Sequence, residues 1–589
     1  MSLSVELVNN ILAVKVNPCK DFYSLRQKLL LIPNKEAEYG EDQYFKYWKM
    51  PVDNIFLLLE KFSERELDIS SDLLTKVDEY KTKFTKLADC VESVNIFKAF
   101  DGKDLFKHQS DYVSISKSKK HLLCSFEMGM GKSRATLIRA RTHGYSKLLI
   151  IVPSIVLNNW ATEIKTVFGE DCLIYSGETP IVKRYELRKS LDLQKIIVVN
   201  YEMVGELFPH LKGIDHVIID EIHNLSNPST EIYKNSYKLL RKFNCPIQGA
   251  SGTPMRLKVR DLWGVLHLID PEFAGSRAEF LNQFEVELAH KTIFKNGRKI
   301  KIPIKLGTKN EDLLKQKLDC ILYRVKRDTL VTFKENIEIV SCELTSKQKE
   351  MYRDIQENIV RDLESGELYG TQNVLVRMLR LLQVSEGCFN IDPSIEDSGK
   401  YDYLKKELSS CNDKIIIWSR FKPITEKILK DFPDRAVCYT GSTSPGLKKL
   451  SVWAFQGVTT EEDLKEFNRL KKYHKDFKFA PGEASIFTGT VNLRSGLGIN
   501  LHKANKCIFT SFDFNPQANM QAKDRISRIG QLSDEVSCKF LVSLSTLDSK
   551  ALSMILSHYE SSLRILDGKK DNSYNIIKDL INLLKEDVL

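Results

Sequence analysis

Phe126-Glu127-Met128-Gly129-Met130-Gly131-Lys132-Ser133 decides how the rest of the chain is read. An apolar run, His121-Leu122-Leu123-Cys124-Ser125, precedes it, and a helix-like stretch, Arg134-Ala135-Thr136-Leu137-Ile138-Arg139, follows. Strand, glycine loop and helix is the order in which chains cradle phosphate. Gly129 and Gly131 let backbone N–H groups turn toward a polyphosphate, Lys132 reaches its outer oxygens, and Ser133 offers a hydroxyl to Mg²⁺. The G-x-x-x-x-G-K-S pattern is incomplete, because Phe126 stands where its first glycine belongs. Taken alone, the window also fits an ordinary glycine turn.

The stretches on either side favour the nucleotide reading. Lys147-Leu148-Leu149-Ile150-Ile151-Val152-Pro153, Lys195 to Asn200 and His216 to Asp220 are apolar runs separated by helical segments, the pattern of strands buried on both faces of a parallel sheet. The last run ends in Asp220-Glu221-Ile222-His223, two carboxylates at a strand tip, where open parallel sheets bind ligands. Asp220 suits the Mg²⁺ that Ser133 also touches, and Glu221 suits orienting or deprotonating an attacking water. Such a pair is also an ordinary helix N-cap; the phosphate loop upstream argues against that alternative. Gly249-Ala250-Ser251-Gly252-Thr253-Pro254 closes the next strand, and its hydroxyls are expected to bond the carboxylate pair. Ahead of the loop, Gln109 carries an amide suited to an adenine edge, with His108 or Phe106 packing on the ring.

Between about Asp261 and Lys400 the pattern reads as mostly helical, as in Leu313 to Leu322 and Thr345 to Leu363. A basic segment, Arg298-Lys299-Ile300-Lys301, either rides on a phosphate backbone or forms a solvated hairpin. Strand candidates then return at Lys414 to Trp418, Ala436 to Tyr439, Ala484 to Phe487, Lys506 to Thr510 and Lys539 to Val542, so a second parallel sheet is expected. Near the end comes Gln521-Ala522-Lys523-Asp524-Arg525-Ile526-Ser527-Arg528-Ile529-Gly530-Gln531. A helix would place Gln521, Arg525 and Arg528 on one face, and two guanidiniums facing a cleft neutralise charge developing on a γ-phosphate. A surface helix with an Asp524 to Arg528 ion pair is the plainer alternative.

Composition sets bounds. At 589 residues, a prior of about 150 residues per domain gives three or four units. Hydrophobic content of 42% and charged content of 28% are ordinary for a soluble globular protein, and a net charge of +10 mildly favours a polyanionic partner such as nucleic acid. Twelve cysteines are scattered singly, which excludes a C-x-x-C zinc knuckle. With no charged-then-apolar leader at Met1 and no unbroken apolar run of about 18 residues, neither export nor a membrane partner is expected. A soluble protein in a reducing intracellular compartment is the expectation, with prokaryotic or phage-infected cytoplasm and nucleus undistinguished.

The first hundred residues read as a small α+β unit. Ser4 to Val16 suggests a hairpin about Asn9-Asn10, Tyr23 to Leu31 and Asp53 to Phe62 suggest helices, and Tyr44 to Pro51 alternates aromatic and basic residues as a strand would. Its aromatics are either core or a grip on nucleic acid, with Lys46 and Lys49 on phosphate. Asp72 to Leu87 reads as a charged connecting helix.

As a set, E-M-G-M-G-K-S, I-V-P-S-I-V-L-N-N-W, D-E-I-H, S-G-T-P, W-S-R-F, T-G-S-T, R-S-G-L-G-I-N-L, F-N-P and Q-A-K-D-R-I-S-R-I-G-Q resemble superfamily 2 helicase-like ATPases, and more narrowly the Swi/Snf family of double-stranded DNA translocases. The likeness covers roughly Leu105 to Asp567. It implies an α/β fold of two RecA-like parallel-sheet lobes with helical insertions, divided as 91–335 and 336–589, each lobe with a helical protrusion. It implies catalytic roles for Lys132, Asp220, Glu221, Arg525 and Arg528. ATP contacts are implied at Gln109, Met128, Gly129, Gly131, Lys132, Ser133, Gly498 and Gln521, and Mg²⁺ at Ser133 and Asp220. Ser154, Asn158, Arg494 and Asn500 are DNA-side candidates. Phe126 departs from the usual Asp, His108 from Tyr, and Ile222 from Ala or Gly; none removes a catalytic group. The stretch Leu29 to Leu59, with K-Y-W-K-M-P-V-D-N-I, is similar to the HARP-type domain of annealing helicases and fork remodellers, phage ones included, so residues 1–90 are expected to recognise DNA. The implied protein is a monomeric ATP-dependent motor that remodels or reanneals branched DNA. A motor that strips proteins from DNA and an ATP-gated clamp with little turnover are the alternatives.

Overall fold

The computed structural model describes residues 3–8, 11–16, 25, 28–29, 36–39, 46–51, 58, 62–63, 66–70, 73, 85–90, 99–115, 119–255, 258–295, 298–326, 334–365, 371–491, 499–527 and 531–567. Its strands are β1 (Leu3–Val8), β2 (Ile11–Val16), β3 (Glu36–Tyr39), β4 (Lys46–Pro51), β5 (Leu67–Ile69), β6 (His121–Phe126), β7 (Leu148–Val152), β8 (Leu173–Tyr175), β9 (Ile196–Asn200), β10 (His216–Asp220), β11 (Ile247–Ala250), β12 (Glu285–Lys295), β13 (Arg298–Thr308), β14 (Leu322–Val325), β15 (Lys334–Cys342), β16 (Ile415–Ser419), β17 (Ala436–Tyr439), β18 (Ile486–Thr490), β19 (Lys506–Phe509) and β20 (Glu535–Ser543).

The first large sheet has seven strands in the order β14-β6-β11-β10-β7-β9-β8, every neighbour parallel. Its centre is buried throughout: Leu148–Val152, Ile196–Asn200 and His216–Asp220 are buried at every position, as strands covered on both faces by helices must be. Because β11 lies between β6 and β10, the loops after these three strands emerge side by side at one edge. That edge is where a parallel sheet binds ligands.

A second parallel sheet has six strands, β15-β20-β19-β16-β18-β17. Together the two sheets give the α/β class and the two RecA-like lobes that the sequence suggested. An N-terminal sheet, β3-β4-β2-β1-β5, is antiparallel except for the β1–β5 pair. It closes over a core of its own that includes Leu3, Val14, Trp48, Met50 and Phe62. Trp48 is therefore packed inside, which removes it as a base-stacking platform. The expected turn at Asn9-Asn10 and most of the expected helices at Tyr23 to Leu31, Asp53 to Phe62 and Asp72 to Leu87 lie outside the described residues.

Two departures concern the stretch read as helical. Between Glu285 and Thr308 the chain forms a β-ribbon, β12 against β13, which departs from the mostly helical reading of 261–400 and agrees with the hairpin alternative given for Arg298 to Lys301. Its sequence carries the signal: Thr, Ile and Phe are interleaved with Lys around Asn296-Gly297, a dipeptide that favours hairpin turns. The second departure is β15, an edge strand paired in parallel with β20 from Lys334↔Glu535 to Cys342↔Ser543. Its Lys and Glu residues are exposed, so no apolar run betrayed it. Helices Ser346–Ser365 and Thr371–Glu386 do form a pair ahead of the second sheet.

Candidate nucleotide site between the lobes

The loop after β6 has the backbone its glycines predict. Gly129 has φ 81° and Gly131 φ 73°, left-handed values that disfavour a Cβ, and helix Lys132–Thr142 begins at once. A Cβ on Gly131 would come within 2.2 Å of Gln109 Nε2, so glycine is needed there twice over. The Gln109 amide is turned onto this loop: its Oε1 accepts from Phe106 N–H at 3.0 Å, and its Nε2 donates to Met130 O at 3.4 Å and Gly131 O at 3.3 Å. His108 Nε2 lies 2.9 Å from Met130 O, and burial holds its imidazole toward the neutral form. Phe126 shows why this chain tolerates an aromatic there. It is fully buried, packed edge-on against Tyr112, Tyr323 and His108 beneath the loop.

Lys132 Nζ donates to Phe126 O at 3.0 Å, inside the loop's own curve. Ser133 follows, half-buried in the first helical turn. Two strands over, Asp220 ends β10 with both oxygens engaged: Oδ2 accepts from Trp160 Nε1 at 2.8 Å and Oδ1 from Glu221 N–H at 3.0 Å. Burial pushes the Asp220 carboxyl above the ordinary carboxylate range, against the opposing pull of Trp160 and the Lys132 ammonium. Glu221 sits at φ 46°, a strained backbone for a residue with a Cβ, and Tyr201 O–H donates to the carbonyls of both Asp220 and Glu221. Strain of this kind persists only where its surroundings hold it, and here the Tyr201 clamp does so.

His223 Nδ1 lies 2.8 Å from Ser251 Oγ and 3.3 Å from Glu221 Oε2. The hydroxyl of Ser251 in the S-G-T-P loop thus reaches the Glu221 carboxylate through His223. Arg324 adds a further tie, donating to Gly252 O at 3.2 Å and approaching Glu127 at 3.5 Å.

The second lobe enters this site. Gln517, on helix Pro516–Lys523, donates to Thr253 O at 3.1 Å and Met255 O at 3.2 Å. Arg525 Nη2 lies 3.8 Å from Met128 Sδ, in the phosphate loop itself, and Nη1 donates to Ile499 O at 3.2 Å. Its own carbonyl accepts from Leu501 N–H at 3.2 Å, so the segment around the half-buried Asn500 and Arg525 pin each other. The helix expected to carry Gln521, Arg525 and Arg528 on one face ends at Lys523. Its last carbonyls are taken by the turn that follows: Met520 O accepts from Asp524 N–H at 2.8 Å, Ala522 O from Arg525 N–H at 3.2 Å and Lys523 O from Ile526 N–H at 3.3 Å. Arg525 therefore reaches the loop from a turn, while Gln521 stays buried on the helix. Arg528, Arg494 and Gly498 lie outside the described residues.

The DNA-side candidates fall on two surfaces. Ser154 and Asn158 are exposed beside the start of helix Leu157–Phe168. Lys49, half-buried, pairs in register with Ala13 and Glu36 in the N-terminal sheet, and Lys46 stands opposite Tyr39. Sequence reasoning missed Trp160, Tyr201, His223 and Gln517 as parts of the site. Trp160 and His223 had a signal, as the residues ending the I-V-P-S-I-V-L-N-N-W and D-E-I-H stretches; Tyr201 and Gln517 had none without the fold.

A phosphate loop on one parallel-sheet lobe, touched by an arginine from a second such lobe, defines a two-lobed nucleotide-driven motor core. Within that class, the chain belongs to the SNF2-related family: the SNF2-related domain matches residues 48–390, more than half its length. Curated relatives include the "ISWI chromatin-remodeling complex ATPase ISW2" of Saccharomyces cerevisiae, 26% identical over 71% of this chain and 37% of that one. The "TATA-binding protein-associated factor mot1" of Schizosaccharomyces pombe is 24% identical over 73% of this chain and 25% of that one. The chain thus spans less than half the length of these relatives. Among solved structures, the "Sulfolobus solfataricus SWI2/SNF2 ATPase core in complex with dsDNA" covers 84% of this chain and 99% of its own at 23% identity, with a TM-score of 0.36. Among the described residues, no helix is long and apolar enough to cross a membrane.

Proposed function

We propose that the protein is a DNA-dependent ATPase that translocates on double-stranded DNA and remodels or reanneals branched DNA. The observation that carries the ATPase half is the meeting of Arg525 with Met128: a guanidinium from one lobe lies against the phosphate loop of the other. In this reading the loop N–H groups and Lys132 hold the ATP phosphates, with Met128, Gly129, Gly131 and Ser133 lining the cradle. Glu221 orients or deprotonates the attacking water, and Arg525 and Arg528 meet charge developing on the γ-phosphate. Gln109, buried with both ends of its amide engaged, braces the loop; Gln521 and Gly498 belong to the facing wall.

The site also fits Mg²⁺. Ser133 and Asp220 offer hard oxygen donors at the same edge of the first sheet, and a buried carboxylate whose charge is disfavoured is relieved by a cation. Bound there, Mg²⁺ supplies charge neutralisation at the phosphate oxygens.

DNA runs across Ser154, Asn158, Arg494 and Asn500, and the pinning of the 499–501 segment to Arg525 couples that contact to the nucleotide. Residues 1–90 form a HARP-like recognition unit, with Lys46 and Lys49 toward phosphate, ahead of motor lobes at 91–335 and 336–589; the whole acts as a monomer. The relatives' printed names place them on chromatin and on a TATA-binding protein, and the separate core of the N-terminal sheet supports a dedicated reader beside the motor. The test is ATP hydrolysis with no DNA, linear duplex, single strand and fork at stated salt. Duplex stimulation that is stronger with forks, and lost in Lys132→Ala and Glu221→Gln, is expected. Equal stimulation by fork and linear duplex removes the remodelling reading, and full activity in either variant removes the catalytic assignment.

A further inference from the structure

The ribbon of β12 and β13 plays no part in the site above. Its strands pair from Glu285↔Thr308 out to Lys295↔Arg298, and they form a sheet separate from the seven-stranded and six-stranded sheets. Eleven residues per strand, at about 3.4 Å each, give a reach of roughly 37 Å, about one turn of duplex DNA. Between positions 288 and 310 the sequence holds seven Lys or Arg and no Asp or Glu. A two-stranded ribbon by itself is marginal in water, and like charges at facing positions, as at Lys295↔Arg298, weaken it further. A polyanion laid along the ribbon removes both penalties, and the major groove, about 12 Å wide, admits a two-stranded ribbon.

The root is fixed to the motor. Arg260 Nε and Nη2 hold the two Glu285 carboxylate oxygens at 2.9 and 2.5 Å, a forked pair. Across the base, Lys309 N–H donates to Phe284 O at 2.9 Å and Asn310 Nδ2 to Gln283 O at 2.7 Å. Arg260 lies on helix Val259–Ile269, the element that follows the S-G-T-P loop. Load on the ribbon is therefore delivered next to Ser251 and His223.

We propose that this ribbon is a second grip on duplex DNA, apart from the cleft between the lobes, which takes one arm of a branched molecule through its phosphate backbone. The proposal rests on the DNA-motor reading, and its test separates the two. Binding of the full chain to linear duplex and to a three-arm fork is measured by fluorescence anisotropy between 50 and 200 mM salt, beside ATP hydrolysis at saturating linear duplex. Replacing Lys295, Arg298, Lys299 and Lys301 together by Ala should lower the slope of log affinity against log salt on the fork by roughly three to four, since each phosphate contact contributes about 0.9. Fork affinity at the higher salt should fall at least tenfold, with hydrolysis on linear duplex unchanged. The charge-preserving set Lys295→Arg, Arg298→Lys, Lys299→Arg and Lys301→Arg should bind as the parent does, which separates charge from folding. An unchanged slope and fork preference in the Ala variant overturns the ribbon grip. Absence of DNA-stimulated hydrolysis in the parent chain overturns the motor reading instead.

Discussion

Trp160 shows how a residue outside the catalytic pair governs it. Its indole N–H is one of two donors on Asp220, and a hydrogen bond to a charged acceptor is worth about 1.5–3 kcal/mol. In Trp160→Phe the ring still fills its pocket while the donor is gone, so burial is opposed less and the Asp220 carboxyl rises further. On the proposed role of Asp220 as a carboxylate, turnover should fall about tenfold, 1.4 kcal/mol in barrier. The rising limb of the rate against pH should also move to higher pH; a loss of rate with an unshifted limb contradicts the mechanism. His216 gives a second prediction, on stability. Its Nε2 takes the Gln248 amide at 2.7 Å, a bond that requires an unprotonated nitrogen, and burial depresses its pKa from 6.5 to about 3. The unfolded imidazole binds a proton that the folded one refuses. Its contribution is therefore present above about 6.5 and lost as pH falls toward 3. Between pH 6 and 4.5, denaturant unfolding should steepen by up to one proton, about 1.4 kcal/mol per pH unit, relative to His216→Gln.

At the level of elements, what could be read from sequence was set by burial on both faces. Strands β7, β9, β10 and β16 are buried end to end around apolar runs, and each was legible within a residue or two. Edge strands were uneven: β17 matches the expected Ala436 to Tyr439, while β15 went unread. β15 has one partner strand, leaves Lys334, Glu335 and Asn336 exposed, and so offers neither a run nor a clean alternation. The end of helix Pro516–Lys523 was illegible for a related reason. The residues beyond it are helix-compatible, and the chain leaves the helix through tight turns, with Arg525 N–H on Ala522 O and Ile526 N–H on Lys523 O, while Arg525 O is taken by Leu501 N–H from a distant segment. In the site, motif spacing located Lys132, Asp220 and Glu221. The supporting hydrogen bonds come from residues distant in sequence: Tyr201 from beyond β7's neighbour strand and Gln517 from the other lobe were identified by fold alone, while Ser251 was expected near the carboxylates and only its route through His223 was not.

For the whole molecule, the question is what holds the two lobes in register while they work. Gln517 makes two hydrogen bonds across the cleft, and bonds of that kind net only about 0.5–1.5 kcal/mol each. Helix Leu547–Asp567 is the stronger tie. Its first half belongs to the second lobe, where Leu552, Ile555 and Leu556 are core residues and Asp548 meets the buried Lys400 at 2.6 Å. Its last turn belongs to the first lobe, where Ile565 and Leu566 are buried in the core and Arg564 pairs with Glu311 at 2.6 Å. Burying two such side chains contributes roughly 3–6 kcal/mol, against about 0–1 for the partly exposed ion pair, so the apolar anchors dominate. Ile565→Ala with Leu566→Ala should therefore free the first lobe from the helix while Glu311→Ala should not. Energy transfer between dyes on the two lobes should broaden toward longer distances in the double variant. Hydrogen exchange should rise along Glu311–Leu318, against which the last turn packs, with the second lobe unchanged. Because Arg525 must cross to the phosphate loop, hydrolysis at low DNA should drop and be recovered at saturating duplex, if DNA bridging the lobes supplies the register the helix had provided. A double variant with parental exchange and parental distances would show that the cleft contacts alone suffice to hold the lobes.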